Sequence, residues 1–487
     1  MLVDLIVIDL QPFKIIEDKG FRTLINYLDP RYTIPCRKTL KKIVEDAYNE
    51  KRRMIQEELD AVSDVSITCD TWTSINVDNI ISVTCHFINH DFQLKTYTLQ
   101  TEKITGSHTG HALSQTLKNI FYQWNIHGKV KHVVTDNAAN MLAAVRNLDE
   151  SVCSVSCFAH TLNLVVKKSL AAVPDLVAIR QKCRRIVTYF KASCLAKDKL
   201  SEMQNALNAP KHKLILEIET RWNSTYEMFN RLIEQKQAIT SALLFFHIPF
   251  DSLTTIEWEI LIESLPILQP FYLLTMELSS ETNVSISKIN IAVKQLHTCL
   301  ELHSDNSLSV QLKETMGKYF NTIETNSLYA MATILDPRFK VLGFLFSENA
   351  EKGKELIVNH ILNMSVSEIV QTNNSTPVPS TLSLWTSFDN EVTEQNSISA
   401  YRFGPTNELE NYLSDSYINR LSDPLQYWKN NITKYPNLAK LAKVILSCPA
   451  TSVPCGRIFS KAGNIISCKR NRLKHTTLDK ILLLNKK

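Results

Sequence analysis

Hydrophobic spacing along the chain changes period three times. Residues 1 to about 60 follow a helical repeat, clearest in LDPRYTIPCRKTLKKIVEDAYNEKRRMI after the breaker Pro35. From 62 to about 172 the period shortens. VSITCDTW, NIISVTCHFI and QLKTYTLQ are short β-branched or alternating runs between polar turns, a pattern that predicts an antiparallel meander. GHALSQTLKNIFYQW then predicts an amphipathic helix, KHVVTDN a fourth strand and SVSCFAH a further short run. Together these predict a mixed α/β core over 61–174. From 175 to about 360 the spacing is helical almost throughout, punctuated by Pro210, Pro249, Pro266 and Pro337. Residues 371–407 are polar with few large aliphatics and read as a linker or long exposed loop. Helical spacing returns over 408–487, in ELENYLSD, PNLAKLAKVIL and a basic terminal helix, and no internal repeat is visible.

Composition agrees with a helix-rich globular chain. Of 487 residues 44% are hydrophobic and 21% charged, enough to bury a large core in two or three structural units. The 10 glycines are few for an all-β design. A net charge of +5 sets up no strong whole-molecule field, but the basic excess is local: seven Lys or Arg, among them Lys469, Arg470 and Arg472, face one acid, Asp479, over 468–487. That segment reads either as a solvated helix end or as a phosphate-contacting surface or nuclear address. The 11 cysteines lack a framework spacing, and MLVDLIVIDLQPF has neither the basic flank nor the cleavage site of a signal peptide. No apolar run approaches the ~18 residues that span a bilayer, so no membrane partner is expected. The expectation is a soluble intracellular protein with reduced cysteines.

Two acids carry the chemistry. Asp70 ends the first predicted strand in SITCDTW, and Asp136, 66 positions later, ends the fourth in KHVVTDNAAN. A carboxylate at the end of a buried apolar strand is costly to hold charged unless something compensates it. A shared divalent cation is one compensation, in the layout where one ion activates water and another stabilises the leaving oxygen. A turn residue or helix cap is the other reading of each aspartate. Cys157-x-x-His160 has half of a zinc-finger spacing without a second pair at finger distance, so no zinc site is predicted. Arg221 and Trp222 open a helical segment, as a phosphate holder with a base-stacking ring or as a surface arginine beside a core tryptophan. Leu438, Leu441, Ala442 and Ile445 recur at i, i+3, i+4 and i+7, an apolar stripe.

The chain resembles the hAT superfamily of DNA transposases and the zinc-finger-BED-type host proteins descended from them. SITCDTWTS and HVVTDNAANM resemble the family's first two catalytic blocks; CFAHTLNLVV, TRWNSTYEMFNRL and ILDPRFK match further blocks in order. The stretch from PLQYWKNN to SCKRNRL resembles the hAT dimerisation region, and LQPFKIIEDKGFRTLINYLDPRYTIPCRKTL the segment preceding the core. The resemblance implies an α/β, ribonuclease-H-like core interrupted by a large all-α insertion over 175–405, with an N-terminal helical segment over 1–60 and the rest of the core in 408–487. It implies Asp70 and Asp136 as ligands of Mg²⁺ or Mn²⁺, His160 and Arg457 near DNA, and the apolar stripe as a surface that pairs protomers into a homodimer or higher oligomer. The third acid of the family sits in a Ser-Glu-Arg-x-Phe-Ser motif. Here the chain reads Cys455-Gly456-Arg457-Ile458-Phe459-Ser460, so Gly456 occupies the glutamate's place and the neighbouring thiol is a poor ligand for a hard cation.

The expectation is therefore a nuclear, transposase-derived protein, catalytically compromised, that dimerises and engages DNA weakly. The alternatives are an active transposase whose third acid is Glu217, Glu219 or another relocated group, and a dimerisation protein with no DNA role. No C-x₂-C…H-x₃₋₅-H pattern precedes residue 60. Either a longer chain carries the BED finger or this copy has lost it.

Overall fold

Period-two alternation forms strands where expected. In the computed structural model β1 (Val65–Thr73), β2 (Asn79–Ile88) and β3 (Leu94–Lys103) make an antiparallel meander. Three helices precede it: α1 (Leu2–Val7), α2 (Lys19–Leu28) and α3 (Arg37–Asp60), the last beginning just after Pro35. After the meander come α4 (Gly110–Gln123), β4 (Val130–Thr135), α5 (Ala139–Arg146) and β5 (Cys153–Ser156). The described residues are 2–73, 78–104, 108–248, 250–279, 283–372, 404–465 and 474–485. The chain divides into two units, one built of Met1–Cys157, Ser280–Lys288 and Ser327–Lys487, the other of Phe158–Ser279 and Ile289–Asn326.

In the first unit the sheet order is β3-β2-β1-β4-β5. β4 runs parallel to β1, and β5 parallel to β4. Odd positions of β1 (Val65, Ile67, Cys69) join the apolar core under α3, α4 and α5 with Leu117, Trp124 and Met141. Gly110 lets α4 approach α5: a Cβ there would lie 2.6 Å from that of Ala143.

The even face of the sheet is also covered. α14 (Ser327–Ile334) and α15 (Ser347–Thr372) lead to α16, described over 404–414, then α17 (Pro424–Asn430), α18 (Pro436–Leu446), α19 (Val453–Ile465) and α20 (His475–Asn485). α18 packs on β2, and α19 on β1 and β2. Buried hydroxyls and two histidines line this face, most of them with a partner: Ser66 bonds His132 (3.1 Å) and Ser447 (3.0 Å), Thr68 bonds Thr84, and Thr84 bonds His86 (2.9 Å), while the Thr98 hydroxyl opposite Thr84 has none among the described residues. Satisfied this way, a polar face can be buried without the cost of stranded donors. The loop after α14 ties the C-terminal helices down. Buried Asp336 pairs with Arg338 (2.6 Å), and buried Lys340 donates to the carbonyls of Tyr412 (2.7 Å) and Asp415 (2.6 Å).

The second unit is helical: α6 (Phe158–Ala172), α7 (Pro174–Ala192), α8 (Cys194–Ala206), α9 (Trp222–Glu234), α10 (Lys236–Leu243), α11 (Thr255–Leu278), α12 (Lys288–Glu301, from Ile289 on) and α13 (Ser307–Phe320). Pro266 does not break the helix as its chemistry suggests. α11 runs through both Pro266 and Pro270, started by a Thr254–Glu257 capping box and held by buried Trp258, Leu261, Leu268 and Phe271. Of the polar stretch 371–407, residues 373–403 lie outside the described residues, as does Pro249.

Candidate active site

Asp70 lies within β1 and Asp136 immediately follows β4. The parallel register pairs Thr68 with Val134, so two residues further on the two aspartates stand level on neighbouring strands. Strand spacing is about 4.8 Å, and residues of equal parity share a face, here the one covered by α19. Both side chains are partly exposed. Asp70 accepts the Thr71 amide (2.9 Å) and Asp136 that of Ala138 (3.3 Å). Burial, reinforced by the Asp136 charge, pushes the Asp70 carboxyl up to about 6. A neighbouring carboxylate that raises the charging cost of Asp70 makes a cation beside it favourable.

α19 packs on β1 and β2 beside Asp70. Buried Cys455 lies 3.1 Å from the Thr68 hydroxyl and donates to the Thr68 carbonyl (3.3 Å), while the Phe459 ring meets Trp72 edge-on at 5.1 Å. Thr68 and Trp72 flank Asp70 on one face of β1, so these contacts fix the helix alongside the acid. Gly456 follows Cys455, turned about 100° around the helix. A Cβ built at Gly456 meets no atom within 4 Å. The helix therefore has open space for a side chain at this position. Among the described residues no group of three or more His, Cys, Asp or Glu is placed to hold a metal.

Residues 68–163 match the ZBED1 RNase-like domain, 155–263 the ZBED1 RNase-like helical domain, and 408–487 the hAT family C-terminal dimerisation region. The chain is also similar over nearly its whole length to several characterised sequences. The putative transcriptional regulator tpeD of Talaromyces stipitatus is 28% identical over 99% of this chain and 61% of its own length. Human zinc finger BED domain-containing protein 4 is 25% identical over 99% and 43%, and the putative AC transposase of Zea mays 28% over 95% and 61%. The chain thus carries the ZBED1 RNase-like domains and the hAT C-terminal dimerisation region, and its relatives are BED-type proteins and hAT transposases. It spans between 43% and 61% of the length of those three relatives.

Of the other acids considered, Asp479 and Glu217 are engaged in contacts of their own. Asp479, on α20, accepts the Thr101 amide (2.7 Å) of β3 and the Tyr48 hydroxyl (3.4 Å). Burial pushes its carboxyl up to about 6. In the second unit Glu217 is buried against Arg180 (2.8 Å) and Arg184 (3.4 Å), and Glu219 is exposed.

The remaining sequence-chosen residues divide clearly. Arg457 is exposed on α19 beside Gly456. His160 is half-buried on α6, and the Cys157 thiol accepts the Ser452 amide (3.3 Å). Arg221 is exposed, but Trp222 is only 2% exposed, so its ring belongs to the core of the helical unit and is not presented to a base. Lys469, Arg470 and Arg472 lie outside the described residues. The apolar stripe is corrected as well. Leu438, Leu441, Ala442 and Ile445 are all buried within the chain, where α18 packs against β2, α14 and α15. Their hydrophobicity is spent on the chain's own core. Among the described residues no helix is long and apolar enough to cross a membrane.

Sequence reasoning did not find the polar layer beneath α18 and α19. Its signal was present: Ser66, Thr68, Ser82 and Thr84 are hydroxyls at alternate positions of adjacent strands, where a solvent face would carry charges.

Proposed function

We propose that this chain is a nuclear, transposase-derived protein that acts by self-association and DNA contact on a nuclease scaffold that has lost cleavage. The reading takes the first unit as a ribonuclease-H-like core interrupted by a helical insertion. In its support, the sheet carries three antiparallel strands followed by two parallel ones, and the second unit is inserted in sequence. Asp70 and Asp136 are the residues that would hold Mg²⁺ or Mn²⁺. When bound, such a cation lowers the pKa of attacking water and stabilises the leaving oxygen. The chain's own contribution is to hold the two carboxylates level on adjacent strands and to fix α19 alongside them. One observation carries the loss of cleavage. The helix position that would supply a third carboxylate is Gly456, with open space where its side chain would stand. Even losses around a metal's ligands cost 10–100-fold, and losing a ligand costs at least that.

Purified full-length chain incubated with supercoiled DNA and Mg²⁺ or Mn²⁺ is expected to leave nicking at background. Metal-dependent nicking that disappears in Asp136→Ala would overturn the reading. DNA contact is supported by the family relationship and by exposed Arg221 and Arg457. A nuclear location is supported by the relatives' names, a putative transcriptional regulator and a putative transposase.

A further inference from the structure

Burial of the α18 stripe leaves open which surface pairs two copies. Within the dimerisation region, exposed large apolar side chains are Tyr417, Leu421 and Ile432. Two of them continue into a neighbouring segment of the same unit. Leu421, four residues after Tyr417, is 81% exposed; Leu342, which meets Tyr417, and Phe346, four residues after Leu342, are each 61% exposed, with Leu345 also exposed on that segment. The two segments are joined directly. The Ile418 amide donates to the Pro337 carbonyl (3.2 Å), the Tyr417 hydroxyl meets the Leu342 backbone, and the buried Lys340 ammonium lies 5.3 Å from the Tyr417 ring. The Lys340 and Asp336 clamps hold both segments on the core, so the patch is presented on a rigid support. Scattered exposed apolar residues are ordinary; five on two adjoining, anchored segments are not.

We infer that the patch formed by Leu342, Leu345, Phe346, Tyr417 and Leu421 is where a second copy of this chain docks, in a two-fold, self-complementary interface. The inference rests on the self-association reading. It commits to a second copy because the patch continues out of the very region that matches the dimerisation family, whose helical stripe is consumed internally. A two-fold axis through the patch brings ten such side chains together, a suitable apolar centre for an interface of roughly 1,200–2,000 Å² whose rim extends onto surrounding polar surface. Aromatic and leucine anchors at the centre of such a patch carry most of the binding.

The test is sedimentation of the full chain between 0.1 and about 50 μM, comparing wild type with Phe346→Glu/Leu421→Glu. As comparison, Leu24→Glu/Leu28→Glu alters the exposed apolar face of α2, and thermal melts check the fold of both. A dimeric wild type, loosened about thirty-fold or more by the patch variant but not by the α2 variant, with melts unchanged, supports the inference. A dimer weakened only by the α2 variant, or by neither, overturns the patch and leaves self-association standing. A monomeric wild type overturns both. If the patch variant melts early, Leu421→Ala replaces it, and a dimer that stays as tight as wild type counts against the patch.

Discussion

At Asp479 and Asp70 burial does the same thing: each carboxyl is pushed to about 6. An acid whose folded pKa lies above its unfolded value takes up a proton on folding, so the folded state gains stability as pH falls from about 7 towards 4 and loses it as pH rises through 6. Asp479→Asn keeps an oxygen for the Thr101 amide and an N–H for the Tyr48 hydroxyl while removing the titration. In chelator-treated buffer it is expected to raise unfolding stability at pH 7.5 by about 1–3 kcal/mol and to flatten the rise between pH 6 and 4. Urea titrations at pH 4.5, 6 and 7.5 check this. A variant less stable than wild type at pH 7.5 would mean that the aspartate's charge supports the fold. Gly456 is the other decisive residue, because its meaning depends on an absent side chain. Neither composition nor spacing marks a glycine in a helix as a vacancy; only the resemblance of Cys455-Gly456-Arg457 to a glutamate-bearing motif does.

The elements were legible where one period dominates. Alternation in VSITCDTW and NIISVTCHFI is enough to find β1 and β2, and helical spacing after Pro35 finds α3, because each face meets a single environment. Legibility ended where burial is two-sided. Ser66, Thr68 and Thr84 look solvent-facing in sequence but lie beneath α18 and α19, since hydrogen bonds offset their desolvation. Likewise a helix stripe looks the same whether it packs on its own sheet or on another molecule, which is why Leu438, Leu441, Ala442 and Ile445 read as a pairing surface. Pro266 misled because packing on both sides of α11 outweighed a missing hydrogen bond. The α4–α5 approach is a further element-scale feature invisible in spacing. Gly110→Ala would set a Cβ 2.6 Å from that of Ala143 and is expected to cost about 1–3 kcal/mol in chemical denaturation. No loss of stability would show that the helices separate freely.

For the whole molecule, Asp136 was legible at a strand end, whereas Asp70 lies inside β1, which runs on to Thr73, and the pairing of the two needed the sheet order that sets β4 beside β1. The result is a scaffold with the strands, the covering helix and two carboxylates in place, and open space at Gly456. The proposed docking patch lies on the same unit away from these carboxylates in sequence, so its test is separable from that of the site. The site itself is tested most directly by Mn²⁺ titration of the full chain, followed by electron paramagnetic resonance, in wild type, Gly456→Glu and Asp136→Ala at pH 7.5. Weak binding in wild type that Asp136→Ala abolishes, and binding at least about ten-fold tighter in Gly456→Glu, is expected if Gly456 marks the missing ligand. Equal affinity in wild type and a folded Gly456→Glu, or binding indifferent to Asp136, would contradict it.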